Sequence, residues 1–159
     1  MSHAPSPVCA NPLWTGVLLV GGRSLRMGQD KLLMRLPDGR PLAERPARAL
    51  AQVCGRLLAV RRPDSPPLFL PGCEDLADAA PGDGPLAGVV AALAAAQTPW
   101  LLVAGGDMPE LRAEFLQAFM NLAARDPHRA LVLGRGSAVG AGLLGEAEET
   151  LLRDLDEHV

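Results

Sequence analysis

Two short apolar runs that each end in paired glycines constrain the fold of this chain more than any other feature. Residues 14–20 read WTGVLLV and lead into a Gly-Gly pair at 21–22. Residues 100–104 read WLLVA and lead into Gly-Gly-Asp at 105–107. A continuous apolar run of this length, closed by glycine, is typical of a buried strand in a parallel sheet. Both runs therefore predict central strands whose carboxyl ends open at the same edge of a sheet.

Segments with helical and strand-like patterns alternate along the rest of the chain. We predict helices at 41–54, 86–96, 111–124 and 146–158, further strands at 56–60, 68–70, 130–133 and 138–144, and a turn-rich stretch at 72–84. Pro46 is unfavourable inside the first helix and predicts a kink or a later start. The connections between strands are long enough for βαβ crossovers, which are typical of a mostly parallel sheet covered on both faces. We therefore expect an α/β protein with one domain at 14–159, after a flexible tail at 1–13.

Composition excludes several classes of function. The chain has 159 residues, and its 15 basic and 18 acidic side chains give a formal net charge of −3, so no overall basic field favours nucleic acid. Aromatic residues make up only 3%, which is unfavourable for base stacking on single strands. No apolar run reaches the ~20 residues that span a bilayer, and residues 1–12 lack the features of a secretory signal. A cytoplasmic protein without nucleic-acid or membrane partners is expected.

The three cysteines do not predict a metal site or a disulfide framework. Cys9, Cys54 and Cys73 are widely and irregularly spaced, and their number is odd. Free cysteine commonly behaves as a small buried hydrophobic residue. We expect incidental thiols.

A local excess of positive charge follows the first glycine pair. Residues 23–40 contain five basic and two acidic side chains, although the whole chain is acidic. Glycine lets the backbone turn sharply, and successive N–H groups in such a turn can bind an anion. The pattern is neither GxGxxG nor GxxxxGK[ST]. From the residues alone, phosphate binding and an ordinary solvent-exposed turn both stay open.

The same loop resembles a known family signature. GGRSLRMGQDK at 21–31, with Leu and Val before it, resembles L-A-G-G-x-S-x-R-M-G-x-D-K of the molybdenum cofactor guanylyltransferases, the MobA-like nucleotidyltransferases. The resemblance implies a sheet of the nucleotide-diphospho-sugar transferase type and a loop that wraps the base and triphosphate of GTP. The loop residues implied to bind GTP are Leu19, Val20, Gly21, Gly22, Arg26 and Lys31.

A second stretch matches the family in order and spacing. GDGPLAGVVAAL at 82–93 resembles the family's G-P-L-A-G turn, which opens a helix near the nucleotide. Gly84 is implied to approach the nucleotide, although an ordinary turn at a helix start would read the same way. Asp78 stands where the family carries an Asp that contacts the base or sugar, with Asp75 and Asp83 as nearby competitors.

A third stretch suggests the metal site. VAGGDMPEL at 103–111 resembles the family's strand ending in C-D-x-P, with Gly106 in place of the usual Cys. Mg²⁺ prefers one or two carboxylates together with substrate phosphates and water. Asp107 is therefore the candidate ligand for Mg²⁺ and, with Arg26 and Lys31, a candidate catalytic residue. Its alternative role is to cap the following helix.

Two departures from the family pattern bear on these expectations. After the second strand the family often has an Asn that touches the nucleotide, whereas this chain reads AVRR at 59–62, so that contact is lost or supplied by another group. The family's N-x-N-T-P-E-D-L segment is not found here, which predicts a domain shortened at its C-terminus.

The activity that the resemblance implies is Mg²⁺-dependent transfer of GMP from GTP to the phosphate of molybdenum-bearing molybdopterin, with release of pyrophosphate. Cofactor-delivery or molybdoenzyme chaperone proteins are possible further partners. Three alternatives stay open: a related transferase that uses CTP or another phosphate acceptor, a nucleotide-binding protein without catalysis, and a plain interaction domain.

Overall fold

The computed structural model describes residues 10–21, 32, 34–65, 67–78 and 85–125. These residues form four strands and three helices. In chain order they are β1 (Asn11–Leu19), α1 (Glu44–Val53), β2 (Cys54–Arg61), β3 (Glu74–Ala77), α2 (Pro85–Ala95), β4 (Trp100–Gly105) and α3 (Ala113–Ala123). The strands and helices predicted after residue 125 lie outside the described residues.

The four strands form one parallel sheet in the order β3-β2-β1-β4. The central strands, β1 and β2, are mostly apolar and buried, as expected for strands that have a neighbour on each side and helices on both faces. This arrangement confirms the predicted α/β class and the central position of the first apolar run.

The helices α1 and α2 cover opposite faces of this sheet, because alternate residues of a strand point to opposite sides. On one face, a Cβ placed on Gly16 would lie 3.3 Å from Cβ of Leu50 in α1. On the other face, Val17 packs with Ala92 of α2, in a cluster that also contains Leu58 and Val60. The result is the three-layer α/β/α arrangement predicted from the sequence.

The chain divides into two compact units, Met1–Ala113 and Glu114–Val159. The sheet and the helices α1 and α2 belong to the first. In the second, α3 buries Leu116 and Met120, which are four residues apart on the same side of the helix. None of the helices in the described ranges has the length and hydrophobicity needed to span a bilayer.

The third strand was predicted at the wrong place. Residues 68–70 do not form a strand, and β3 lies instead at Glu74–Ala77, within the stretch predicted to be turns. Its EDLA sequence is mostly exposed, and its pairing with β2 is reinforced by the ion pairs Arg56–Glu74 (2.7 Å) and Arg61–Asp75 (2.9 Å). An edge strand held in this way needs no apolar run.

Two boundary predictions are also corrected. β1 begins at Asn11, so the last three residues of the segment assigned to a flexible tail belong to the sheet. Of the two effects expected from Pro46, the later start is confirmed and the kink is not found, because α1 begins at Glu44 rather than at residue 41 and Pro46 lies in its first turn. The N–H groups of a first turn have no partner within the helix, so proline is tolerated there.

Candidate active site

The carboxyl ends of β1 and β4 are joined where the two glycine pairs begin. Leu19 pairs with Gly105, and the backbone N–H of Gly106 donates to the carbonyl of Leu19 at 2.9 Å. A Cβ placed on Gly106 would lie 3.2 Å from that carbonyl oxygen and 3.1 Å from Cδ2 of Leu32. These distances are tight for any larger residue. The second glycine of the pair therefore lets the two strand ends close on each other.

At this junction the order in which strands are added to the sheet reverses. From β1 the chain passes through α1 to β2 on one side, whereas β4, reached through α2, lies on the other side of β1. In open parallel sheets the ligand binds in the crevice outside the strand ends at such a switch point. The order of the strands therefore selects the β1–β4 edge as the binding crevice.

Asp78 lies at the same edge, directly after β3. Its backbone N–H donates to the carbonyl of Arg61 at 2.8 Å, which extends the pairing of β2 with β3. Asp78 is only 7% exposed, and its Oδ1 atom has no hydrogen-bond partner in the described part of the chain. A buried carboxylate oxygen without a donor is costly. This acceptor makes Asp78 a candidate for contact with a ligand.

Arg62 completes the edge between β1 and β3. A Cβ placed on Gly21 would lie 2.9 Å from both Cγ and the backbone nitrogen of Arg62, so the side chain of Arg62 passes directly over Gly21. Its guanidinium donates to Asp64 through Nε (2.9 Å) and Nη2 (3.1 Å). These hydrogen bonds and the charge of Asp64 raise the pKa of Arg62 above its usual value, and the charge of Asp78 adds to the effect.

Asp107 presents an exposed carboxylate two residues after β4. Its Oδ1 atom lies 2.8 Å from the position that a Cβ on Gly105 would occupy, so the first glycine of the pair leaves room for it. The alternative role as a cap of the following helix is wrong, because α3 begins only at Ala113. Within the described residues no three His, Cys, Asp or Glu side chains are grouped as a metal site. A single carboxylate suits Mg²⁺ if substrate phosphates and water complete the shell.

The helix α2 contacts β1 closely. It begins at Pro85, as the G-P-L-A-G turn predicted, and a Cβ placed on Gly88 would lie 2.9 Å from Cδ2 of Leu19. Gly88 therefore allows the helix to rest on the last residue of β1. Gly84 itself is outside the described residues.

The structure thus brings together part of the predicted site. The predicted residues that lie at the carboxyl edge of the sheet are Leu19, Val20, Gly21, Asp78 and Asp107. Gly22, Arg26 and Lys31 are outside the described residues. Sequence reasoning missed Arg62, although the RR pair after the second strand, where the family often has Asn, was a signal for it.

Comparison with known proteins decides the family. The family described as "MobA-like NTP transferase domain" matches residues 16–157 of the chain. The chain belongs to this family. The resemblance found in the loop at 21–31 is therefore confirmed.

The curated relatives carry consistent names. A probable molybdenum cofactor guanylyltransferase of Deinococcus radiodurans is 41% identical over 101 residues, 64% of this chain and 50% of the relative. A molybdenum cofactor guanylyltransferase of Xanthomonas euvesicatoria is 42% identical over 106 residues, 65% of this chain and 51% of the relative. A probable molybdenum cofactor guanylyltransferase of Opitutus terrae is 36% identical over 127 residues, 78% of this chain and 58% of the relative. The chain spans about half the length of the curated relatives it matches.

A solved structure supports the fold. The crystal structure of Rv0371c from Mycobacterium tuberculosis H37Rv superposes with a TM-score of 0.60 at 21% identity, covering 72% of this chain and 61% of that chain. At this identity the likeness extends to the fold alone.

Proposed function

We propose that this chain transfers GMP from GTP to the phosphate of molybdenum-bearing molybdopterin and releases pyrophosphate. The observation that carries the proposal is that Gly21, Gly106 and Asp107 follow the two strands that meet at the switch point, while Asp78 follows β3 at the same carboxyl edge of the parallel sheet. The names of the curated relatives support the same reaction.

The triphosphate is assigned to the loop at 21–31. Its first residue, Gly21, lies just after β1. The residue after the loop, Leu32, lies beside Gly106, since a Cβ placed on Gly106 would be 3.1 Å from Cδ2 of Leu32. The loop therefore leaves and returns at the same edge of the sheet. We assign its backbone N–H groups and the cations Arg26 and Lys31 to the phosphates, since charge-assisted contacts of this kind are strong.

We assign the base to the side of β2 and β3, because the phosphates are assigned to the β1–β4 side. There, the unpartnered Oδ1 of Asp78 supports a preference for guanine. Guanine carries N1–H and N2–H donors side by side, which a carboxylate can accept together. Cytosine has an exocyclic amine but no ring N–H on that edge, so it would leave one carboxylate oxygen unpaired. The site therefore favours GTP over CTP.

Asp107 is assigned as the protein ligand of Mg²⁺. Its exposed carboxylate and the adjoining Gly105 leave room for an ion that also binds substrate phosphates. When bound, the ion would neutralise part of the negative charge of the phosphates.

The reaction requires little covalent chemistry from the protein. An oxygen of the acceptor phosphate forms a bond to the α-phosphorus of GTP. The bond from the α-phosphorus to the oxygen that bridges it to the β-phosphate breaks, and pyrophosphate leaves with that electron pair. The chain contributes by holding the base at Asp78, orienting the triphosphate along the loop, and balancing charge on the leaving group through Arg26 and Lys31.

Calorimetry and turnover test the proposal separately. Titration with GTP and CTP in the presence of Mg²⁺ should give tighter binding of GTP. Pyrophosphate should then be released from GTP only when molybdenum-loaded molybdopterin is added. Tighter binding of CTP would indicate a cytidylyl branch, and binding without turnover would indicate a non-catalytic nucleotide-binding protein.

A matched pair of variants tests the loop. Lys31→Ala should weaken GTP binding by about 1.5–3 kcal/mol, the range of a charge-assisted phosphate contact. Arg48→Ala removes the same charge from an exposed position on α1, where Arg48 pairs with Glu44, and should leave the affinity unchanged. Equal effects of both variants would contradict a specific phosphate contact.

A further inference from the structure

We propose that Arg62 reads the acceptor edge of the guanine base, so that Arg62 and Asp78 together recognise guanine from two sides. This inference rests on the proposed function, because it assumes that GTP occupies the edge formed by the ends of β1, β2 and β3. It assigns a specificity role to a residue that stands close to where the family often carries Asn.

The position of Arg62 places it beside the nucleotide rather than on the outer surface. It is the first residue after β2, its stem passes over Gly21 at the distances given above, and its side chain is only 20% exposed. On the other side, the backbone N–H of Asp78 donates a hydrogen bond to the carbonyl of Arg61, the residue before Arg62. Arg62 thus stands between the glycine turn assigned to the phosphates and the carboxylate assigned to the base.

The guanidinium is held in place by Asp64. The two hydrogen bonds to Asp64 involve Nε and Nη2, which are two of the nitrogens of a planar group with five N–H donors. A bidentate pair of this kind fixes the plane of the guanidinium. The side chain of Asp64 is 66% exposed, so this ion pair lies at the surface end of the Arg62 side chain. We therefore regard Asp64 as a positioning residue.

The chemistry of guanine matches this pair of groups. Guanine presents two adjacent acceptors, O6 and N7, on one edge and two adjacent donors, N1–H and N2–H, on the next. Arginine binds O6 and N7 through two hydrogen bonds, a contact that contributes about 1–3 kcal/mol of discrimination. Asp78 accepts from the donor edge. The opposite charges of Arg62 and Asp78 attract each other. Adenine, with an amine at position 6, would place a donor against the guanidinium.

The first test needs no variant. The wild-type chain is titrated calorimetrically with GTP and with 7-deaza-GTP, which lacks the N7 acceptor, in the presence of Mg²⁺. We expect 7-deaza-GTP to bind about tenfold more weakly than GTP, because it loses one of the two hydrogen bonds to Arg62. Equal affinities of the two nucleotides would overturn the proposal.

Variants then identify the residue. Arg62→Met should weaken GTP binding about tenfold or more. It should weaken binding of 7-deaza-GTP less, because that nucleotide has only the O6 contact to lose, and the variant should bind the two nucleotides almost equally. Arg62→Lys keeps the charge without the planar fork, and it should lose the same discrimination between the two nucleotides. Arg48→Met is the control and should behave as wild type. If circular dichroism shows that Arg62→Met does not fold, the comparison of GTP with 7-deaza-GTP is made on Arg62→Lys instead.

Two outcomes separate this inference from the proposed function. If the wild-type chain binds neither GTP nor 7-deaza-GTP, the proposed function fails. If it binds GTP but Arg62→Met weakens GTP, CTP and inorganic triphosphate equally, Arg62 is a phosphate ligand and only the base-reading role is overturned.

Discussion

Gly21→Ala tests how closely β2 approaches the turn after β1. The added Cβ would lie 2.9 Å from Cγ of Arg62 and 2.9 Å from its backbone nitrogen. Ordinary carbon contacts lie at about 3.5–4.0 Å, so one of the two segments must move by about half an ångström or more. The side chain of Arg62 could adjust, but the backbone nitrogen belongs to the chain that leaves β2. The substitution therefore strains the sheet edge itself.

The expected cost follows from this contact. Overpacking against groups that cannot move freely typically costs about 1–3 kcal/mol, and we expect Gly21→Ala to lower the free energy of unfolding by that amount. Gly88→Ala is the matched control, because its Cβ would also lie 2.9 Å from a neighbour, but that neighbour is Cδ2 of Leu19, the end of a flexible side chain. Alanine also gains about 1 kcal/mol over glycine in a helix, so Gly88→Ala should be close to neutral.

Urea unfolding followed by tryptophan fluorescence measures both variants. The two tryptophans of the chain, Trp14 and Trp100, are stacked with ring centroids 4.9 Å apart, one in β1 and one in β4. Their emission therefore reports on the pairing of these strands. A Gly21→Ala variant as stable as wild type, or more stable than Gly88→Ala, would refute the contact on which this reasoning depends.

Three further predictions concern single side chains. Asp78→Asn should keep the free energy of unfolding within about 1 kcal/mol, since Oδ1 makes no hydrogen bond among the described residues, but should weaken GTP binding about tenfold in calorimetry; unchanged GTP affinity would remove Asp78 from the site. Asp107→Asn should abolish the dependence of turnover on Mg²⁺ concentration, and a preserved dependence would move the metal to another residue. Burial raises the pKa of the Cys54 thiol to about 12, so at pH 8 it stays protonated and a thiol reagent should label it only after unfolding in urea. Rapid labelling of Cys54 in the folded chain, located by peptide mapping, would contradict this.

The fold could be predicted where local pattern and burial agree. Both apolar runs that end in glycine form parallel strands side by side, β1 and β4. The first is central, as strands buried on both faces must be apolar, whereas β4 stands at the end of the sheet formed by the described residues. The same reasoning failed for β3. Its EDLA sequence carries no apolar period, and it becomes a strand through pairing with β2 and through ion pairs with Arg56 and Arg61, partners 14 or more positions away in the chain.

The candidate site divides in the same way. The order of residues in the glycine loop was sufficient to indicate the family, because a motif of that specificity is local in the chain. The role proposed for Arg62 could not be derived from the RR pair alone, since it depends on the closeness of Gly21 and on the position of Asp78. Both are consequences of β2 lying between β1 and β3.

The sequence by itself therefore determined the class of fold and the family, because these depend on patterns within short stretches. Only the structure decided which strand ends meet and that the helix after β4 begins at Ala113 rather than directly after Asp107. It also decided that Asp78 is buried with an unpartnered oxygen in the described part of the chain. The physical reason is that strand order and burial are set by contacts between distant segments, which no local pattern encodes.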